Sequence, residues 1–80
     1  MNVGLAVRER ILQLCQERHI TINKLSTICG ITQSTLNNIM NYGSSNPTIS
    51  TIKKVCDGLE LTLSSFFDSP LFENLDQEIK

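Results

Sequence analysis

Six side chains that hydrogen-bond without carrying charge, Gln33, Ser34, Thr35, Asn37, Asn38 and Asn41, fall within nine consecutive positions. A carboxamide presents a donor and an acceptor side by side, which suits the N6 and N7 edge of adenine, and short hydroxyls can bond to bases or phosphates. Helix propensity does not account for such a run, because Asn, Ser and Thr are middling to weak helix formers. A helix face that met only water would carry Glu, Lys and Arg instead. Other residues with chemistry to offer are sparse. Cys15, Cys29 and Cys56 are widely separated and odd in number, and His19 is the only histidine, so the paired spacing of a zinc site is missing. No nucleophile, base and orienting group share a plausible pocket, so neither an enzyme nor a metal or cofactor site is expected.

The elements that must position the polar run can be read from spacing. Leu25 and Cys29 are four apart on one helix face, and Leu36 and Ile39 are three apart on the next. Two helices this short cannot stand alone and must share a core. Between them Gly30 permits the positive φ that ends a helix, Ile31 is an apolar plug, and Thr32 is a good N-cap for a helix starting at Gln33. Ser26 is small enough to let the two helices meet at a steep angle. The whole stretch Ile22 to Asn41 has the layout of a helix-turn-helix whose second helix offers its polar face to DNA.

Eighty residues, 40% hydrophobic and 19% charged, suffice for one small helical domain. No apolar run approaches the roughly 20 residues that span a bilayer, and the N-terminus lacks the basic-then-apolar order of a signal peptide, so a cytoplasmic protein is expected. Three thiols on apolar helix faces fit that compartment as small buried hydrophobes. The net charge is −1, but it is divided unevenly. Residues 1–58 hold Arg8, Arg10, Arg18, Lys24, Lys53 and Lys54 against Glu9, Glu17 and Asp57, a balance of +3. Residues 59–80 hold Lys80 against Glu60, Asp68, Glu73, Asp76 and Glu78, a balance of −4. That polarity would turn the front of the molecule towards phosphates, with modest non-specific affinity.

Around the central pair, a first helix is expected from about Leu5 to Arg18, with Val7, Ile11, Leu14 and Cys15 inward and His19 at its exit in a capping or surface role. Thr21 should cap the second helix. Tyr42 to Pro47 reads as a loop. A fourth helix should start near Thr48, with Ile49, Ile52, Val55 and Cys56 inward and Gly58 terminating it. Thr62 should cap a short fifth helix on which Phe66 and Phe67 close the base of the bundle. After Pro70, residues 71–80 form either a frayed acidic tail or a helix with Leu71, Phe72, Leu75 and Ile79 on one side.

These landmarks together resemble the phage-repressor-like helix-turn-helix family, the group of Cro and lambda-type repressors also called the xenobiotic-response-element family. The resemblance covers Leu5 to Phe67 and rests on G-I-T-Q-S-T-L at Gly30 to Leu36, N-P-T at Asn46 to Thr48, and G-L-x-L-x-L-x-x-F-F from Gly58. It implies an all-α, compact five-helix bundle of the lambda-repressor-like type over residues 1–69, followed by residues 70–80 as an acidic tail or short extra helix. It also implies that the helix starting at Gln33 enters the major groove. Gln33, Ser34, Thr35 and Asn38 are then the base-reading positions, and Lys24, Thr32, Asn37, Asn41, Ser44 and Ser45 the phosphate-facing ones. Three departures matter. Family members often place a phosphate-clamping glutamine where Ile22 stands, so that contact must be absent or moved to Asn23 or Lys24. Many carry an arginine in the reading helix where Asn38 stands, which favours A·T contacts over guanine. The loop before Asn46 looks one residue longer than usual.

The function this implies is a sequence-specific DNA-binding transcriptional regulator, a repressor, acting on double-stranded DNA as a homodimer with half-sites about 34 Å apart. No membrane and no small-molecule ligand enter that reading. The alternative is a protein-interaction or antitoxin-like module that keeps the fold with weak or no specific DNA binding. The weak basic charge, the replaced phosphate clamp and the amphipathic acidic tail motivate it.

Overall fold

The computed structural model describes residues 1–41 and 47–79. Among the described residues five α-helices run in order: α1 (Val3–Glu17), α2 (Ile22–Cys29), α3 (Gln33–Met40), α4 (Ile49–Gly58) and α5 (Leu63–Phe67), followed by a 3-10 turn at Pro70–Phe72. No strand occurs among the described residues.

Each helix starts where a short polar side chain can satisfy a backbone N–H that the helix itself leaves unpaired. Asn2 accepts from the N–H of Leu5, Thr21 from Lys24, Thr32 from Thr35, Thr48 from Thr51 and Thr62 from Ser65. Thr21, Thr32 and Thr62 were legible as caps, and Thr48 as the point near which α4 starts. Asn2 was not, and because it caps, α1 begins at Val3 rather than Leu5. Helix ends are equally local. At the exit of α1 the N–H of Ile20 bonds to the carbonyl of Cys15 and that of His19 to Gln16, with His19 in the left-handed region at φ 55°. The exit of α4 repeats this pairing, Leu61 to Cys56 and Glu60 to Asp57, with Glu60 at φ 58°.

That second exit corrects the expected role of Gly58. It does not terminate α4 by turning left-handed; Glu60 does. Gly58 is instead the last residue of α4 and a point of close approach to α2. A Cβ at position 58 would lie 2.4 Å from the Cys29 sulfur, 3.0 Å from the Cys29 Cα and 3.1 Å from an Ile28 methyl carbon. The missing side chain is what lets the two helices touch.

Val7, Ile11, Leu14 and Cys15 of α1, Leu25 of α2, Leu36 and Ile39 of α3, Ile52, Val55 and Cys56 of α4, and Phe66 of α5 form one buried core with Ile31 and Leu59. Ile49 departs from expectation. As the first residue of α4 it sits outside the core, 63% exposed. Phe66 is fully buried, whereas Phe67 is half-buried and packs edge-on against both Phe66, at 5.0 Å between ring centres, and Phe72, at 4.9 Å. Phe72 therefore closes the base together with the two expected phenylalanines.

After that turn residues 73–79 follow no regular helix, so of the two expected alternatives the helix with a shared apolar face does not form. Leu71, Phe72 and Leu75 are half-buried while Ile79 is 88% exposed. What holds the segment is the start of the chain. The N–H of Asp76 bonds to the carbonyl of Met1 at 3.1 Å, and the Met1 ammonium faces the Asp76 carboxylate at 3.5 Å.

Candidate functional site

The bend between α2 and α3 is held by backbone and side chain together. Gly30 adopts φ 65°, which frees the chain to turn without a Cβ clash. The N–H of Ile31 then bonds to the carbonyl of Ser26 at 3.2 Å, and the Ser26 hydroxyl donates back to the carbonyl of Ile31 at 2.8 Å. Ser26 was expected for its size alone. Buried as it is, its hydroxyl also satisfies a carbonyl that the turn would otherwise leave without a partner.

On α3, Leu36 and Ile39 are buried and Met40 half-buried, while Gln33, Ser34, Thr35, Asn37 and Asn38, and the C-cap Asn41, are all exposed. At 100° per residue, Gln33, Asn37, Asn41, Ser34 and Asn38 succeed one another around a sector of about 140°, with Thr35 on its flank. The structure thus brings the sequence-predicted set onto one uncharged face. Thr32 and Lys24 are exposed beside it. Ser44 and Ser45 lie outside the described residues.

Three bonds order this face. The Gln33 amide donates through Nε2 to Asn23 Oδ1 on α2 at 2.8 Å. The Thr32 hydroxyl accepts the Thr35 N–H at 3.2 Å and donates its own proton to the Thr35 hydroxyl at 2.9 Å. In that arrangement Thr35, not Thr32, keeps a hydroxyl proton for a ligand.

The electrostatics differ from the sequence expectation. The three arginines that dominate the front of the chain all bind helix ends. From α1, Arg8 Nε donates to the carbonyl of Met40 at 2.9 Å and Arg10 donates to Phe66 and Ser65 at 2.7 and 3.0 Å, while Arg18, the C-cap of α1, donates to Leu59 at 3.4 Å. They therefore cap the negative ends of α3, α5 and α4. Lys53 pairs with Asp57 one turn along α4. Lys24 and Lys54 are the exposed cations that form no ion pair among the described residues. No pattern in the sequence marks the arginines for this work, since their acceptors are backbone groups 32 to 56 positions away.

Behind the bend lie the thiols. Cys15 and Cys56 are buried and Cys29 half-buried, its Sγ facing the Val55 carbonyl at 3.7 Å. Burial pushes all three thiols up, and for Cys29 the two neighbouring thiols add to the effect. Groups held protonated in this way are poor nucleophiles and poor metal ligands. No set of three or more His, Cys, Asp or Glu side chains among the described residues is placed to hold a metal ion. None of the described helices is long and apolar enough to cross a membrane.

Comparison with known proteins agrees with the geometry. The chain is similar to prophage Lp1 protein 11, whose crystal structure superposes with a TM-score of 0.83 at 37% identity, covering 94% of this chain and all of that one. No curated protein matches. Residues 10–68 match the Cro/C1-type helix-turn-helix DNA-binding domain, a span that contains α2, the Gly30 bend and α3. The chain belongs to the Cro/C1-type family of helix-turn-helix DNA-binding domains.

Proposed function

We propose that this protein is a transcriptional repressor that reads operator DNA by laying α3 in the major groove as one half of a homodimer. The observation that carries the reading is the unbroken uncharged face of α3, together with the bond that fixes its leading residue. Gln33 uses one Nε2 proton on Asn23. It retains the second proton and its carbonyl oxygen, the pair that adenine N7 and N6 require. Ser34, Thr35 and Asn38 complete the base-facing set. Asn37, Asn41, Lys24, Thr32 and the serines 44 and 45 serve phosphates, and Asn23 takes over the clamp that Ile22 cannot provide. Kinship with a prophage protein supports a phage-type regulator. With few free cations, two subunits must supply the affinity that one cannot.

Selection of bound sequences from a random duplex pool tests this. An enriched pseudo-palindrome rich in A·T pairs, with half-site centres one helical turn or about 34 Å apart, is the expected result. No enrichment across a wide range of protein concentration, at low salt, overturns it.

One observation favours the second reading, a protein-interaction module with weak DNA binding: the arginines are spent on helix ends. The same selection decides between the two, since that module would enrich nothing.

A further inference from the structure

The two ends of α3 are held by different helices. Its leading end is locked to α2 by the Ser26–Ile31 pair and the Asn23–Gln33 bond. Its trailing end is held from α1, where Arg8 Nε donates to the carbonyl of Met40 at 2.9 Å. Glu9 steadies the same guanidinium through Nη1 at 2.7 Å, and the Arg8 side chain is only 21% exposed. Between the ends, the fully buried contacts of this eight-residue helix are Leu36 and Ile39. Together with the half-buried Met40 they form one apolar stripe, about which a short helix can roll, because burial is non-directional. A hydrogen bond is directional and removes that freedom. The acceptor is a last-turn carbonyl with no partner inside the helix, and the donor is charged, so the bond is of the stronger kind.

We infer that Arg8 is a positioning residue that sets how the trailing half of α3 lies in the DNA groove. It thereby governs base discrimination by Asn38, while Gln33, fixed by its own bond to Asn23, keeps its discrimination without it. The inference rests on α3 being the recognition helix. Arg8 itself contacts no DNA; it acts through the backbone of α3.

Arg8→Met keeps the length and packing of the side chain and removes its donors. Arg10→Met is the comparator, since Arg10 performs the same kind of bonding at the end of α5. In the free full-length protein, hydrogen exchange at the amides of Met40 and Asn41 should accelerate roughly tenfold in Arg8→Met, with Thr35 and Leu36 unchanged and none of the four altered in Arg10→Met. Against an operator library varied one pair at a time, Arg8→Met should flatten preference roughly five- to tenfold at the pairs that Asn38→Ala also flattens, and keep it at those facing Gln33. Arg10→Met should keep both. Where Arg8→Met does not fold, Arg8→Lys against Arg10→Lys makes the same comparison with one charged donor retained. Equal exchange in the paired variants, or an affinity loss spread evenly over all operator positions, overturns the inference. A wild type that selects no sequence sinks the recognition reading instead, and the exchange comparison alone then decides whether Arg8 holds α3.

Discussion

The amide of Gln33, the first residue of α3, is bonded to the Asn23 amide oxygen on α2 at 2.8 Å. A glutamine side chain free in solvent samples many rotamers, and ordering it on binding costs about 0.5 to 1.5 kcal/mol. On the proposed reading, holding it against α2 removes much of that cost before DNA arrives. Asn23→Ala should therefore weaken operator binding by roughly tenfold and relax preference at the base pair that Gln33 faces, with stability almost unchanged because both side chains are exposed. Fluorescence anisotropy on operator duplexes with single-pair changes reads this. Unchanged preference at every position would show that the pair has no part in recognition.

Base reading and phosphate binding should separate by mutation. Asn38→Ala should lose about 1 to 3 kcal/mol of discrimination at one base pair and leave non-specific affinity intact. Lys24→Ala should weaken all sequences alike. Sequence-blind losses of equal size from both variants contradict the assignment of Asn38.

Salt dependence follows from the arginines. If Lys24 and Lys54 are the free cations of each subunit, a dimer neutralises about four phosphates, and log K should fall with log salt at a slope near −4. Lys24→Ala, acting twice in a dimer, should reduce the slope by roughly 2. Titrations between about 50 and 200 mM salt measure it. A slope near −9, about that of ten contacts per dimer, would mean that the arginines reach DNA after all.

Replacing a helical glycine by alanine ordinarily stabilises a helix by about 1 kcal/mol. At Gly58 the sign should reverse, because the new methyl meets the Cys29 sulfur at 2.4 Å and the Cys29 backbone at 3.0 Å. Gly58→Ala should cost about 1 to 3 kcal/mol, a fall of at least 4 °C in Tm for a domain of this size. Adding Cys29→Ala removes the sulfur but not the backbone clash, so rescue should be partial. A Gly58→Ala variant as stable as wild type in thermal unfolding would disprove the close approach of α2 and α4.

The thiols make a prediction about alkaline pH. Burial raises Cys15, Cys29 and Cys56 above the ordinary thiol value. Raised folded-state values mean that their contribution is fully present below the unfolded thiol pKa of about 8.5 and is lost as pH rises towards the folded ones. Urea unfolding should show stability insensitive to the thiols near neutrality and a decline above that value, absent from a variant with all three cysteines replaced by alanine. In native protein a thiol reagent should label Cys29 first, since Cys15 and Cys56 are buried.

What could be read from the amino-acid order alone was whatever is governed within one or two helical turns. Thr21, Thr32, Thr48 and Thr62 cap because each lies three residues before the N–H it accepts. Gly30 turns because of its own missing Cβ, and the apolar spacing from Leu25 to Ile39 specifies two helices that share a core. The polar face of α3 is legible for the same reason, since helical periodicity alone gathers it. Tertiary structure decided everything that joins distant positions. It assigned Arg8, Arg10 and Arg18 to the ends of three other helices and so removed them from the cationic front. It made Gly58 a contact rather than a terminator, turned Ile49 outward, and tied Asp76 to Met1 in place of a tail helix. The physical reason is common to all of these. A backbone carbonyl at a helix end looks the same in every sequence, and which side chain reaches it depends on how the helices cross.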